Sequence, residues 1–470
     1  MSAALLAALR EAAGATNVLT EGDLSAYELD WRKRWRGKAV AVVRPGNTDE
    51  VAAVVRACAA HGAGIVAQGG NTGLVGGGVP DASGTQVLLS LTRMNRVREI
   101  DAANATMTLE AGCVLKAAQE AAAGQGLLFP LSLAAEGSCT IGGNLATNAG
   151  GTQVLRFGNA RDLCLGLEVV TAQGEVWSGL SGLRKDNTGY DVRDLIIGSE
   201  GTLGIITAAT MKLHPLPVSQ LTAFAACHDL RGCVALLQLT RRHLGASLNG
   251  FEVMGAPALE LVARHFPQLP RPLPAAPWTV LLECADAESE ALARPRFEAL
   301  LQAALEAGCI VDAVLAESMA QARALWHVRE SIPLAQAMEG PNIKHDIALP
   351  VSAIVDFVQH TDTALQAGFP GSRVINFGHL GDGNLHYNLQ AAHGVSAQDF
   401  LDTQEEAVNR LVYDAVVARG GSISAEHGIG ALKCAELQQR KSPVALAMMR
   451  AIKQALDPKG TLNPGRVLPG

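Results

Sequence analysis

The sequence predicts an α+β protein of two or three domains, the one beyond about residue 217 reading as α/β or α+β, and three observations carry that expectation. Short β-branched runs alternate with alanine-rich helical stretches through the first half; the alternation resumes with longer Ala/Leu helices after about residue 217; and a last helix ends in a glycine- and proline-rich tail. At 470 residues the chain is too long for one ordinary core. Its 48% hydrophobic and 18% charged residues mark it as globular. A formal net charge of −7 argues against nucleic acid as a partner, since phosphate binding draws on concentrated Lys and Arg. Nine cysteines without a CxxC pair point to a reducing, cytoplasmic setting rather than a disulfide framework or zinc ribbon. Because no uninterrupted apolar run reaches about 18 residues, no membrane span is expected.

Taken in order, "MSAALLAALREAAGATN" lacks a basic start and carries Arg10 and Glu11, so residues 1–34 open as an amphipathic helical segment. "AVAVVRP" reads as a strand. "TDEVAAVVRACAAHG" reads as a helix opened by Thr48, with Asp49 and Glu50 at the positive end of its dipole, and closed by Gly62. "AGIVAQGG" completes a βαβ beginning. "QVLLSL" and "ATMTLEAG" are further strands, and "VLKAAQEAAAGQG" is a helix ending at Gly124 or Gly126. Pro215 and Pro217 end the strand in "GTLGIITAATMKLHPLP" and mark a boundary between 35–217 and 218–425. Beyond it lie helices in "VALLQLTRRHLG" and "PRFEALLQAALEAG", the strand "WTVLLECA", and "FPQLPRPLPAAP", a loop at an exposed edge. The segment 426–470 contains a helix stopped by Asp457-Pro458.

Two clusters stand out among the 49 glycines: "QGGNTGLVGGGVP" at 68–80 and "PLSLAAEGSCTIGGNLATNAGG" at 130–151. Each strings together backbone N–H groups with little side-chain cover, a geometry that suits phosphate oxygens. One such stretch reads equally as a surface loop. Here, however, the glycines alternate with Leu74, Val75, Ile141 and Leu145, which favour burial, so both loops are expected to be pinned to a core. Neither supplies strand, GxGxxG spacing, helix and downstream acid in order, which disfavours a Rossmann NAD site.

In "INFGHLGDGNLHYNL", His379 and His386 flank strong turn chemistry. If "VINFGH" and "HYNLQ" pair as strands, the two imidazoles converge at the base of the loop, as a divalent metal requires of ligands at about 2.0–2.1 Å. By itself HxxxxxxH reads as two strand histidines with ordinary hydrogen bonds. Glu426 in "SISAEHGIGALK" offers a third, carboxylate ligand, the plain alternative being a solvated acid. His427 beside it is a candidate base, and Gly428 and Gly430 would let the backbone turn so that both residues serve one pocket.

The motifs "QGGNTGLVGGGVP", "GSCTIGGNLATNAGG", "KDNTGYDVRDLIIGSEGTLGIIT", "GHLGDGNLH" and "SAEHGIG" occur in this order. Together they resemble the FAD-linked D-2-hydroxyacid dehydrogenases of the vanillyl-alcohol-oxidase/p-cresol-methylhydroxylase superfamily, most closely the hydroxyglutarate dehydrogenases, from about residue 35 to the end. The resemblance implies a two-subdomain FAD-binding domain of the vanillyl-alcohol-oxidase type at 35–217, an α/β substrate (cap) domain at 218–425, and a C-terminal helical segment at 426–470 that returns to the FAD domain.

It also implies roles. Gly69, Gly70, Asn71, Thr72 and Gly73 would wrap the FAD pyrophosphate, and Ser138, Gly142, Asn144, Thr147 and Gly150 would line pyrophosphate and flavin. Glu200, Gly201, Gly204 and Ile206 would pass the adenine and ribose side. Asn71 stands where covalently flavinylated members often carry His, so the FAD is expected to be noncovalent. His379, His386 and Glu426 would hold a divalent ion, with zinc the ion implied, and His427 would take the hydroxyl proton while hydride passes to flavin N5. Arg329 and Lys344, which read on sequence alone as exposed cations, would hold a distal carboxylate, with Asn388 as a further donor to substrate.

The implied reaction is oxidation of D-2-hydroxyglutarate to 2-oxoglutarate, with an electron-transfer flavoprotein or a quinone as acceptor. One departure keeps D-lactate, D-malate and D-mandelate open: Pro333 stands where the family places a hydroxyl-bearing residue. A reading from another class is a flavin-binding electron-transfer subunit whose histidines only stabilise the fold. Oligomeric state is left open, with a homodimer among the options.

Overall fold

The computed structural model describes residues 3–469 and divides into two units. One comprises Met1–Gly150, Gly158–Leu216 and Glu426–Gly470; the other comprises Gly151–Phe157 and Pro217–Ala425. Helices and sheets occur in both, the α+β class expected.

In the first unit the helix Ala3–Ala13 buries Leu5, Leu9 and Ala13, a stripe at the helical i, i+4 spacing. A four-stranded sheet runs in the order Val18–Leu19, Ala39–Val43, Gln86–Ser90, Ile65–Gln68. Its last three strands are parallel, so Gln86–Ser90 separates the two strands of the expected βαβ unit. The connecting helix, Thr48–His61, buries Val51, Val54, Val55 and Cys58. Its N-cap is Asn47, whose side chain accepts from the Glu50 N–H, one residue before the expected Thr48. Thr48 is instead the first helical residue and donates its hydroxyl to Glu168 at 2.6 Å. Gly62 closes the helix at φ +66°, a left-handed position that suits glycine.

A five-stranded antiparallel sheet follows in the order Val97–Asp101, Thr106–Glu110, Ile205–Lys212, Cys164–Val170, Val176–Gly179. Val97–Asp101 escaped the sequence reading because "VREID" is a largely exposed, charged edge strand with no apolar alternation.

The second unit is built on one seven-stranded antiparallel sheet, ordered Asp312–Leu315, Ser219–Cys227, Trp278–Asp286, Leu248–Gly255, Arg373–Gly378, Asn384–Gln390, Asp346–Ala348. Strand alternation divides its apolar residues between two cores. Phe251, Val253, Val280 and Leu282 join the larger, while Met254, Leu281, Ile375 and Phe377 join the smaller, beneath the helices Ala256–His265, Met319–Glu330 and Ile332–Met338. The helix Glu290–Glu306 starts five residues before the expected Pro295, which it accommodates. Pro333 lies in the first turn of Ile332–Met338, just after Ser331 caps Met319–Glu330, so the proline falls at a helix start where its missing N–H costs nothing. The residues 266–277 form the expected loop. Among the described residues no helix is long and apolar enough to cross a membrane.

Candidate active site

In the first unit the two glycine clusters meet. A Cβ on Gly70 would lie 2.0 Å from the Ser138 carbonyl oxygen, one on Gly69 2.1 Å from Thr140 Oγ1, and one on Gly142 2.6 Å from the Ala111 Cβ. Gly70 must be glycine for close approach of backbone, and Gly69 and Gly142 for close packing against the Thr140 and Ala111 side chains. With neighbouring residues they line a cavity of about 1080 Å³, counting its open mouth. Gly69, Gly70, Asn71, Thr72, Gly73, Gly142, Asn144, Thr147, Glu200, Gly201, Gly204 and Ile206 are all on its wall. Ser138 and Gly150 are not: Ser138 is exposed with its hydroxyl turned to the Ala135 carbonyl, and Gly150 is buried beyond the short helix Ile141–Ala146. The Asn71 side chain is spent on the carbonyls of Ala26 and Leu29, so at that position the backbone is what the cavity is offered.

Two wall residues, Thr140 and Ser199, carry buried hydroxyls with no hydrogen-bond partner among the described residues. Buried polar groups left in this way are costly, and an acceptor-rich ligand such as FAD would satisfy them. The cavity therefore fits a dinucleotide flavin.

Glu200, on the cavity wall, also ties down the C-terminal segment. Its carboxylate accepts from the N–H groups of Ile429 and Gly430, each at 2.7 Å, and its carbonyl accepts from Asn463 Nδ2. Burial pushes this carboxyl above the ordinary range, against the pull of those two donors and Lys433. The clamp anchors the chain two residues past His427, and His427 itself lies on the cavity wall. Gly428 and Gly430, at φ +81° and +52°, supply the turn expected there.

In the second unit the hairpin forms as expected. Arg373–Gly378 pairs with Asn384–Gln390, Phe377 facing His386, and the rings of His379 and His386 stand 5.5 Å apart, edge to face. His386 also faces Asp346 across the neighbouring strand, with Nδ1 3.9 Å from its carboxylate. The N–H of Ala425 donates to the Asp346 carbonyl, and Glu426 is the next residue in the chain.

Arg329 is no exposed cation. It is 6% exposed, lies over the Phe377 ring at 4.8 Å, and directs Nε and Nη2 to one oxygen of Glu252, each at 2.8 Å. The other Glu252 oxygen stands 2.6 Å from His379 Nδ1. Burial would raise this carboxyl, but the charges of His379 and Arg329 and their hydrogen bonds outweigh it and hold it down to about 2.

Lys344 is half-buried, and the bonds at Ile343 and His345 set it opposite Asn388. The Asn388 amide has a fixed orientation: its oxygen accepts the His345 N–H, so its nitrogen donates to Gln336 Oε1 at 3.0 Å. That leaves Gln336 Nε2 as a buried donor with no partner among the described residues.

Glu252, Asp346, Thr140, Ser199 and Gln336 were not foreseen. Only Glu252 carried a signal, a charged residue inside the apolar run "LNGFEVMG".

Comparison with known proteins extends over both units. Residues 39–179 match the family model of the FAD binding domain, and residues 216–467 match that of the C-terminal domain of FAD linked oxidases. The chain is 40% identical over 462 residues to a D-2-hydroxyglutarate dehydrogenase of Xanthomonas citri pv. viticola, covering 98% of this chain and 96% of the relative. It is 39% identical over 461 residues to the mitochondrial D-2-hydroxyglutarate dehydrogenase of Arabidopsis thaliana, covering 98% and 80%. Among solved structures, p-cresol methylhydroxylase with substrate bound shares the fold at TM-score 0.78 and 16% identity, covering 99% of this chain and 96% of that one. With these matches spanning nearly its whole length, the chain belongs to the FAD-linked D-2-hydroxyacid dehydrogenases, in the group that includes the D-2-hydroxyglutarate dehydrogenases, and it shares the fold of p-cresol methylhydroxylase.

Proposed function

We propose that this FAD-dependent dehydrogenase oxidises D-2-hydroxyglutarate to 2-oxoglutarate, with a divalent ion on His379, His386 and Glu426 and with His427 as the base. The observation that carries the reading is the place of His427, on the wall of the cavity that fits the flavin and one residue after Glu426. When bound, FAD supplies the hydride acceptor, and a divalent cation supplies Lewis-acid pull on the substrate hydroxyl, zinc being suited to two imidazoles and a carboxylate. His427 accepts the hydroxyl proton on a ring nitrogen as the α-hydrogen leaves with its electron pair. The Glu200 clamp on Ile429 and Gly430 holds that imidazole against the cavity. Lys344 and the Nη1 side of Arg329, which is outside the Glu252 pair, meet the distal carboxylate. Asn388 donates to substrate from the same strand face as His386. Reoxidation falls to an electron-transfer flavoprotein or quinone. Nine free cysteines, eight of them buried, support a reducing, cytoplasmic setting.

The test is anaerobic bleaching of the bound flavin by a panel of D-2-hydroxy acids with added Zn²⁺ or Mn²⁺. D-2-hydroxyglutarate should reduce it fastest. Equal or faster reduction by D-lactate would favour the second reading, motivated by Pro333, and no reduction by any member would overturn the enzymatic site assignment.

A further inference from the structure

Glu252 lies on the central strand Leu248–Gly255, is 1% exposed, and has every oxygen committed. Oε2 receives Arg329, whose guanidinium can only donate, and Oε1 stands 2.6 Å from His379 Nδ1. A carboxylate only accepts, so the proton of a neutral His379 sits on Nδ1 and the lone pair on Nε2. Alternation along the strands explains the meeting: Glu252 shares a sheet face with Met254, which pairs with Phe377, and His379 follows two residues later.

We propose that Glu252 is a positioning residue for metal binding, selecting the His379 tautomer whose Nε2 can ligate, and that Arg329 holds Glu252 in that pose. The inference rests on the metal site proposed above. A carboxylate behind a ligating imidazole fixes ring and tautomer together, and loss of such a partner typically costs about 10- to 100-fold in metal affinity. Here the same carboxylate also bears on Arg329, so ligand orientation and charge recognition share one buried group.

Glu252→Gln tests the selection almost isosterically. Arg329 must keep the amide oxygen, so the amide NH₂ turns to His379 Nδ1, the imidazole proton moves to Nε2, and the ligating lone pair is lost. The experiment titrates Zn²⁺ into flavin-loaded wild type, H379A and E252Q against a chromophoric chelator, alongside FAD content and thermal midpoint. Wild type should bind one Zn²⁺, H379A should lose it, and E252Q should bind about 10- to 100-fold more weakly while retaining its flavin. If wild type binds none, the metal reading itself fails. If wild type binds and H379A does not, unchanged affinity in E252Q overturns the positioning role alone. Should E252Q fail to fold, Glu252→Asp decides: it keeps an acceptor-only group at shorter reach, and affinity should fall measurably but less than in H379A. An affinity equal to wild type in E252D would then overturn the proposal.

Discussion

Replacing Gly70 with Ala asks whether the two glycine clusters bind FAD because their backbones touch. The added Cβ would sit 2.0 Å from the Ser138 carbonyl oxygen and 2.9 Å from its carbon, so the loops must part by more than about 1 Å before ordinary contact is restored. Neither neighbour is the end of a flexible side chain that can swing away. Overpacking of this kind costs about 1–3 kcal/mol, or roughly 5- to 150-fold if the strain falls on the flavin-binding geometry. Gly137→Ala is the matched control, because a Cβ there meets nothing within 4 Å and Gly137 is not on the cavity wall. The assay is FAD per chain after dialysis, followed by titration of FAD into each apoprotein. G70A should lose flavin and G137A should retain it. Equal retention in the two variants would refute the claim that backbone approach at Gly70 builds the cavity.

Thr140→Val should leave the apoprotein as stable as wild type or slightly more so, since the hydroxyl has no partner among the described residues, yet weaken FAD by about 1 kcal/mol, roughly fivefold; melts and titration of the two forms check this. Lys344→Ala should raise KM for D-2-hydroxyglutarate more than for D-lactate, and equal losses would contradict contact with the distal carboxylate. Arg329→Ala should lower the thermal midpoint clearly, because an uncompensated buried Glu252 costs about 3–5 kcal/mol. Glu339, half-buried and resisting its own desolvation through hydrogen bonds from His265, Arg373 and Arg264, is held down from 4.5 to about 2. A depressed carboxyl stabilises above its unfolded pKa and loses that contribution as pH falls through the folded value. The thermal advantage of wild type over Glu339→Gln should therefore be full above about pH 5 and shrink steadily below 4.5.

The sequence by itself determined whatever is periodic or local. The stripe of Leu5, Leu9 and Ala13, the left-handed stop at Gly62, and the hairpin around "GDGN" follow from residue spacing and turn chemistry, and each appears in the structure. The ordered motifs likewise carried the family, because five of them in one order along the chain are far more specific than any one alone. Only the tertiary structure decided what depends on pairing between distant segments. Strand order put Gln86–Ser90 between neighbours in sequence, and a charged edge strand at Val97–Asp101 formed through its partner, not its own pattern. The same holds at the site. Arg329 looked like a surface cation until Glu252, 77 residues away, buried it, and the bond of the Glu200 carboxylate to the N–H groups of Ile429 and Gly430, more than two hundred residues away, had no signal in the spacing. Electrostatic partners are chosen by distance in space, which one-dimensional spacing does not record once the chain has turned back on itself.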